Sequence, residues 1–200
     1  YCLAAIALLE WANMLPSVAI HGLQTQEGDV AWRAALVFEI FIKPADVFDA
    51  VRGVHRRIKG SYAVVALIAG HGLLAFRDPF GIRPLCVGRH GDSVMVASES
   101  VTLEGNGFDL DRDIQPGEAL FVDLAGNMQY QQCAEKTSHN PCIFEFVYLA
   151  RPDSVLDGVS VYQARLNMGE TLAQRLISTL PPNEIDVVIP IPESSRPSAM

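Results

Sequence analysis

The stretch that decides the fold is residues 46–78, DVFDAVRGVHRRIKGSYAVVALIAGHGLLAFRD. Its first half places apolar residues on one helical face, at Val47, Val51, Val54 and Ile58. Gly60 stands where a helix of that length would end. The second half changes to two short runs rich in Val, Ile, Leu and Ala, separated by a Gly-His-Gly turn, and this pattern predicts paired strands. The stretch therefore predicts a helix followed by a β-hairpin.

Two more strand pairs are predicted on the C-terminal side of this stretch. The first is PLCVGRH with SVMVASES (84–90 and 93–100), and the second is EALFVDL with NMQYQQCA (118–124 and 127–134). Asp78-Pro79-Phe80-Gly81 is a turn signal between the first two hairpins. Arg77 and Arg83 flank that turn. They either clamp a carboxylate or phosphate or, as we favour, pair with Asp78 and fix the turn.

The pattern changes after Lys136. KTSHNP (136–141) is a polar linker typical of a domain boundary, and CIFEFVYLA (142–150) is predicted as a strand. Ser160 and Gln163 fit a capping box at the start of a helix that runs to about Ser178. The apolar run IDVVIPIP (185–192) then predicts a strand buried on both faces of a parallel sheet. Strand, helix and strand in this order indicate a second domain of α/β type.

Composition excludes several classes of protein. The chain has 200 residues, half of them hydrophobic, with a formal net charge of −8 and a mean hydropathy of +0.20. These values exclude intrinsic disorder, and the acidic balance argues against nucleic-acid and anionic membrane surfaces. The four cysteines form no C-x-x-C pair, so we expect reduced thiols. Residues 1–45 carry no clear pattern, stay unassigned, and are expected to contribute little to the fold.

Two candidate sites follow from the residues alone. Ser194 and Ser195 come directly after the predicted strand 185–191, at the edge where α/β sheets bind ligands, and their hydroxyls suit phosphate or a hydrated cation. An ordinary polar loop is the alternative. Cys2 is not assigned as an N-terminal nucleophile, because Tyr1 precedes it and no glycine follows it.

Five segments, in chain order, resemble one family: FRDPFGIRPL (76–85), VASESVTL (96–103), IQPGEALFVD (114–123), the long block from Pro141 to Gln174, and DVVIPIPESS (186–195). The family is amidophosphoribosyltransferase, the glutamine phosphoribosylpyrophosphate amidotransferase of purine biosynthesis. The likeness runs from about Asp46 to Ser195. RDPxGIRPL alone also occurs in related forms in other class II amidotransferases.

The resemblance implies an α+β and α/β fold in two parts. Residues 46–135 would be part of an N-terminal-nucleophile (Ntn) αββα glutaminase domain, and residues 140–200 the opening of a doubly wound phosphoribosyltransferase domain. The implied reaction converts phosphoribosyl pyrophosphate, glutamine and water to 5-phosphoribosylamine, glutamate and pyrophosphate, the first step of purine synthesis. We expect the chain to be an internal fragment, inactive alone, of a cytoplasmic homo-oligomer (a tetramer) that binds small molecules and neither nucleic acid nor membrane.

Few functional residues carry over by resemblance. Ser194, with Ser195, matches the substrate-binding and Mg²⁺ position, and Tyr148 matches a tyrosine that lines the ammonia channel. Cys142 matches a cysteine that binds a 4Fe–4S cluster in some members. The nucleophilic cysteine with its Gly-Ile sequel is absent from this sequence, so no catalytic residue is assigned. The alternatives are another class II glutamine amidotransferase and a non-catalytic α/β binding module.

Overall fold

A computed structural model describes residues 5–9, 47–180, 185–191 and 193–200. The N-terminal elements are β1 (Ala5–Leu9), α1 (Val47–Arg57), β2 (Ala63–Ile68), β3 (Gly72–Arg77), β4 (Cys86–His90), β5 (Ser93–Ala97), α2 (Ser100–Gly105), β6 (Asp109–Asp113), β7 (Glu118–Asp123) and β8 (Met128–Gln132). They are followed by a π-helical turn (Glu145–Leu149), β9 (Val155–Leu156), β10 (Val159–Ser160), α3 (Val161–Thr179) and α4 (Arg196–Ala199). The predicted helix and the three predicted hairpins are confirmed.

Strands β1 to β8 form two stacked sheets, and β9 and β10 form a separate two-stranded sheet. One has five strands in the order β1-β2-β3-β7-β8, and the other has three in the order β5-β4-β6. Consecutive side chains of β3 point to opposite faces, so Leu74 and Phe76 join the core under α1 while Ala75 joins the core between the sheets. Each fully buried Leu or Phe of these cores contributes about 1.5–3 kcal/mol through the hydrophobic effect. The layers are therefore helix, sheet and sheet.

The C-terminal part has a smaller core of its own, made of Phe146, Ala150, Leu156 and Val161. The α3 helix begins as predicted, because the Ser160 hydroxyl accepts a hydrogen bond from the Gln163 amide at 3.3 Å. The other half of the predicted capping box is wrong, since the Gln163 side chain donates to Asn167 instead.

The short helix α4 lies directly on α3. A Cβ added at Gly169 would meet the Ser198 carbonyl oxygen at 2.3 Å, so only glycine allows the two backbones this close. The Ser198 hydroxyl also donates to the Arg165 carbonyl at 2.9 Å. The helix α4 is thereby held against the first half of α3.

Two predicted strands are wrong. Residues 142–150 form the π-helical turn instead, in which the Ala150 amide donates to the Glu145 carbonyl at 2.9 Å. Residues 185–191 form no strand and are largely exposed, with Ile189 81% exposed. A strand needs a neighbour to pair with, no described residue pairs with 185–191, and Pro190 lacks a backbone donor.

The prediction that residues 1–45 contribute little is wrong for one segment. Ala5–Leu9 pairs in parallel with β2 and forms an edge of the larger sheet. The other residues of that stretch, Cys2 among them, lie outside the described residues. In the part of the chain that the structure describes, no helix is long and apolar enough to cross a membrane.

Candidate functional site

The turn at residues 78–83 is organised around a buried carboxylate. Asp78 is fully buried. Its carboxylate accepts hydrogen bonds from the amides of Phe80 at 2.9 Å, Ile82 at 3.2 Å and Arg83 at 3.1 Å. Asp side chains at the start of a turn commonly bind amides a few residues ahead in this way. Asp78 therefore fixes the turn through backbone amides, and the Arg77 side chain adds bonds to two carbonyls of the same turn.

Arg77 is almost completely enclosed, with 1% of its surface exposed. Its guanidinium donates to the carbonyls of Gly81 (2.8 Å), Arg83 (2.6 Å) and Ile114 (3.0 Å). It also donates to both carboxylate oxygens of Asp157, at 2.7 and 2.8 Å. These five bonds use all five donors of an arginine. Arg77 therefore has a structural role, as favoured, but the predicted partner Asp78 is wrong, since Asp157 pairs with Arg77.

Asp157 reaches Arg77 from the tip of the β9–β10 hairpin. Asp157 has φ +49° and Gly158 has φ +77°. Two successive residues with positive φ make the tight turn that Asp-Gly sequences favour. His139 Nε2 lies 3.0 Å from the Asp157 carboxylate on its outer side. Burial raises the pKa of Asp157, but the hydrogen bonds and charge of Arg77, with a smaller contribution from His139, outweigh it, and the pKa lies below its usual value. Asp157 is therefore ionised against Arg77.

A second set of contacts joins the same two parts of the chain. Arg83 pairs with the buried carboxylate of Glu145 at 2.7 Å. The Glu99 carboxylate accepts from the Arg151 amide at 2.8 Å and from the Ser154 hydroxyl at 2.7 Å.

The predicted linker takes part in these contacts as well. The amides of Ser138 and Asn140 donate to the carbonyls of Pro79 and Phe80, at 3.1 and 2.8 Å. The Cys142 amide donates to the Ile82 carbonyl at 3.3 Å. We call the contact of residues 77–83 and 99–100 with residues 138–157 the junction.

The π-helical turn is held from its other side by α3. Arg165, 3% exposed, donates to the carbonyls of Phe146 and Ala150, at 2.8 Å each. Desolvation lowers the pKa of Arg165 from its usual value. These bonds satisfy carbonyls at the end of the turn, where no helical partner remains. The turn is thus fixed between the junction and α3.

The sequence-predicted site residues are not brought together. Tyr148 lies on the π-helical turn with 68% of its surface exposed. Cys142 is half-buried at the start of that segment. Ser194 lies in the turn before α4, and the Ser195 hydroxyl donates to the Ile191 carbonyl. No hydrogen bond or ion pair between described residues joins any two of these four.

The resemblance implies two cofactors, Mg²⁺ and a 4Fe–4S cluster, and each requires particular ligands. Mg²⁺ takes about six oxygen ligands, whereas the carboxylate nearest to Ser194 in sequence, Glu193, faces Arg196 at 3.4 Å. Cys86 and Cys133 are buried in the sheets. Among the described residues no group of three or more His, Cys, Asp or Glu side chains could hold a metal ion. These residues alone fit neither a magnesium site nor an iron–sulfur cluster.

Sequence reasoning missed three residues of the junction, namely Glu99, Glu145 and Asp157. A signal for Asp157 was present, because Asp-Gly between two short runs that each contain a β-branched Val (Val155-Leu156 and Val159-Ser160) is typical of a two-residue hairpin turn. Glu99 and Glu145 carry no local signal. Their partners lie 52 or more residues away in sequence.

Comparison with known proteins gives the family. A family profile described as a glutamine amidotransferase domain matches residues 34–105, beginning ahead of the predicted boundary at residue 46. An amidophosphoribosyltransferase of Pseudomonas aeruginosa is 54% identical over 159 residues, which cover 78% of this chain and 32% of that protein. Over that stretch, the chain belongs to the amidophosphoribosyltransferase family.

Further relatives agree with this family. The amidophosphoribosyltransferase of Pasteurella multocida is 51% identical over 164 residues, covering 80% of this chain and 32% of the relative. A solved glutamine phosphoribosylpyrophosphate amidotransferase from B. subtilis, complexed with ADP and GMP, is similar with a TM-score of 0.71 and 28% identity, and the match covers 88% of this chain and 37% of that one. The chain spans about a third of the length of the amidophosphoribosyltransferases it matches.

Proposed function

We propose that the chain is a working part of an amidophosphoribosyltransferase, which uses glutamine to convert phosphoribosyl pyrophosphate to 5-phosphoribosylamine in the first step of purine synthesis. The observation that carries this proposal is the 54% identity with the Pseudomonas aeruginosa relative over 159 residues. An unrelated binding module would not share this identity over 78% of the chain. A cytoplasmic location and a homo-oligomeric parent enzyme belong to the same proposal.

The two parts of the chain have different proposed roles. The helix–sheet–sheet body at residues 46–135 is proposed to be part of an Ntn glutaminase domain, and its layers support this. Residues 140–200 are proposed to open a doubly wound phosphoribosyltransferase domain. Within them, Tyr148 is proposed to line the path of ammonia, and Ser194 with Ser195 to bind phosphoribosyl pyrophosphate and its Mg²⁺.

A chimera tests the proposed function. Residues 46–195 of this chain would replace the matched residues of the Pseudomonas aeruginosa enzyme, and formation of 5-phosphoribosylamine from glutamine would be measured. We expect glutamine-dependent product. A chimera that folds and still releases glutamate, but forms no phosphoribosylamine, would contradict the proposal. Circular dichroism and a thermal unfolding curve establish whether the chimera folds.

Two serine variants of the chimera test the proposed substrate site. Ser194→Ala is expected to raise the KM for phosphoribosyl pyrophosphate and to leave glutamate release from glutamine unchanged. Ser178→Ala is the matched control, because its hydroxyl donates to the Arg175 carbonyl on an exposed part of α3. Equal effects of the two substitutions would remove Ser194 from the proposed site.

The chain alone is expected to release no glutamate from glutamine. Its sequence lacks the family's Cys-Gly-Ile start, and covalent catalysis also needs an oxyanion hole, in which one donor contributes about 3–4 kcal/mol to the barrier. Release of glutamate that Cys2→Ala abolishes would instead assign a nucleophile to Cys2.

A further inference from the structure

The junction contains one contact unlike the others. Most of its contacts are single hydrogen bonds from backbone amides, and Arg83, which pairs with Glu145, is 39% exposed. The Arg77–Asp157 pair makes two parallel bonds, with Arg77 1% and Asp157 12% exposed. Paired bonds between guanidinium and carboxylate add geometric specificity as well as strength. This contact therefore fixes both the distance and the angle between the two parts of the chain.

The local structure at both ends is arranged for this one contact. Three donors of Arg77 are held by carbonyls, which aim the remaining two at the hairpin. Asp157 is the one non-glycine residue with positive φ among the described residues. Asp adopts this backbone more readily than most other non-glycine residues, and the two-residue Asp-Gly turn requires it. The turn thereby presents the carboxylate to Arg77, whose buried positive charge would otherwise have no counter-charge.

The electrostatic surroundings favour the ionised pair. Three further titratable groups face the pair: His139 in the linker, Asp113 on β6 and Cys86 on β4. Burial and the charge of Asp157 both raise the pKa of Asp113. Asp157 is thus the carboxylate that these surroundings keep charged beside Arg77.

We propose that Asp157 is a positioning residue, and that its pair with Arg77 is the lock that holds the π-helical turn and the β9–β10 hairpin in one place on the two-sheet body. The proposal rests on the proposed function in one respect only. If the two parts are glutaminase and transferase, the lock sets where Tyr148 stands relative to the glutaminase sheets.

Hydrogen exchange on the complete 200-residue chain tests the lock. In Asp157→Asn we expect the amides of residues 138–157 to exchange at least tenfold faster than in the unchanged chain, with β2 and β3 unaffected. The amides of Asn140, Arg151 and Val155 are the reporters, because each donates across the junction. Asp153→Asn is the matched control, since that carboxylate pairs with Arg151 on the exposed side of the same segment.

Three results would overturn the proposal. Unchanged exchange at residues 138–157 in Asp157→Asn would mean that the pair holds nothing. An equal rise in β2 and β3 would mean that the pair only adds to general stability. Asp157→Gly removes the carboxylate but relieves the backbone, so exchange as slow as in the unchanged chain would show that the charge is not needed.

If the Asp157 variants do not fold, hydrogen exchange on the unchanged chain still tests the proposal. In low concentrations of urea, residues 138–157 are expected to exchange through an opening that leaves β2 and β3 protected. Exchange of all of them together would overturn the proposal. None of these results depends on enzymatic activity, so failure of the lock and failure of the chimera are distinguishable.

Discussion

Removing the Asp78 carboxylate is expected to destabilise the chain more than any exposed charge substitution. Asp78 is fully buried and accepts three backbone hydrogen bonds. A buried donor left without a partner costs about 1–3 kcal/mol. Because the exposed edge of the turn can relax toward water, we expect Asp78→Ala to lower the free energy of unfolding by about 3–5 kcal/mol.

Asp78→Asn separates shape from charge. The retained oxygen can keep the bonds from Phe80 and Ile82, which share one oxygen in the folded chain. The new NH₂ group then faces the Arg83 amide, which loses its acceptor. We expect the free energy of unfolding to fall by about 1.5–2.5 kcal/mol. This is the cost of losing one charge-assisted hydrogen bond and leaving its donor unsatisfied.

Urea unfolding followed by circular dichroism measures both losses. The control is Asp123→Ala, because Asp123 accepts hydrogen bonds from the amides of Ala125 and Asn127 in a similar turn but is only half-buried, and these bonds lie at the surface. The free energy of unfolding should fall much less in Asp123→Ala than in Asp78→Ala. A loss under about 1 kcal/mol in Asp78→Ala, or equal losses for Ala and Asn, would refute the reasoning from buried amide donors.

Three further predictions concern other parts of the chain. Gly169→Ala should free α4, since the new Cβ would meet Ser198, and faster cleavage by a carboxypeptidase would report it. Burial lowers the pKa of His55 to about 4. As pH falls from about 6.5 to 4, His55 of the unfolded chain therefore binds a proton while His55 of the folded chain stays neutral. Unfolding free energy should therefore drop by about 1–2 kcal/mol over that range, and a flat pH dependence that matches His55→Gln would contradict this. Burial raises the pKa of the Cys86 thiol to about 12, so iodoacetamide should label half-buried Cys142 first, as peptide mass spectrometry would measure.

The sequence predicts α1 and the three hairpins correctly for a physical reason. The helical spacing from Val47 to Ile58 and the continuous apolar runs of β2 and β3 are local. The helix places one apolar face against a core, and β3 places both of its faces against cores. Turn residues at Gly70 and Gly126 add a backbone requirement that few other residues satisfy, since both have positive φ. Local pattern and final packing agree here, which is the condition under which sequence reasoning succeeds.

The same reasoning fails where distant contacts decide. Residues 142–150 have the β-branched and aromatic composition of a strand, yet Glu145 is drawn to Arg83 and two carbonyls of the segment to Arg165. The tertiary contacts override the weak local preference. The arginines of the turn show the same limit. Their charge predicts a carboxylate partner, but neither Asp157 nor Glu145 is close to them in sequence.

The 80-residue separation of Arg77 and Asp157 has a consequence for the newly made chain. Protein synthesis proceeds at about 5–20 residues per second, so Asp157 is made about 4–16 s after Arg77. During that interval the carbonyls of Gly81 and Arg83 are already present, and the guanidinium can be aimed before its counter-charge exists. The turn at residues 77–83 can therefore form before Asp157 is made, and Asp157 then supplies the counter-charge to a guanidinium that is already in place.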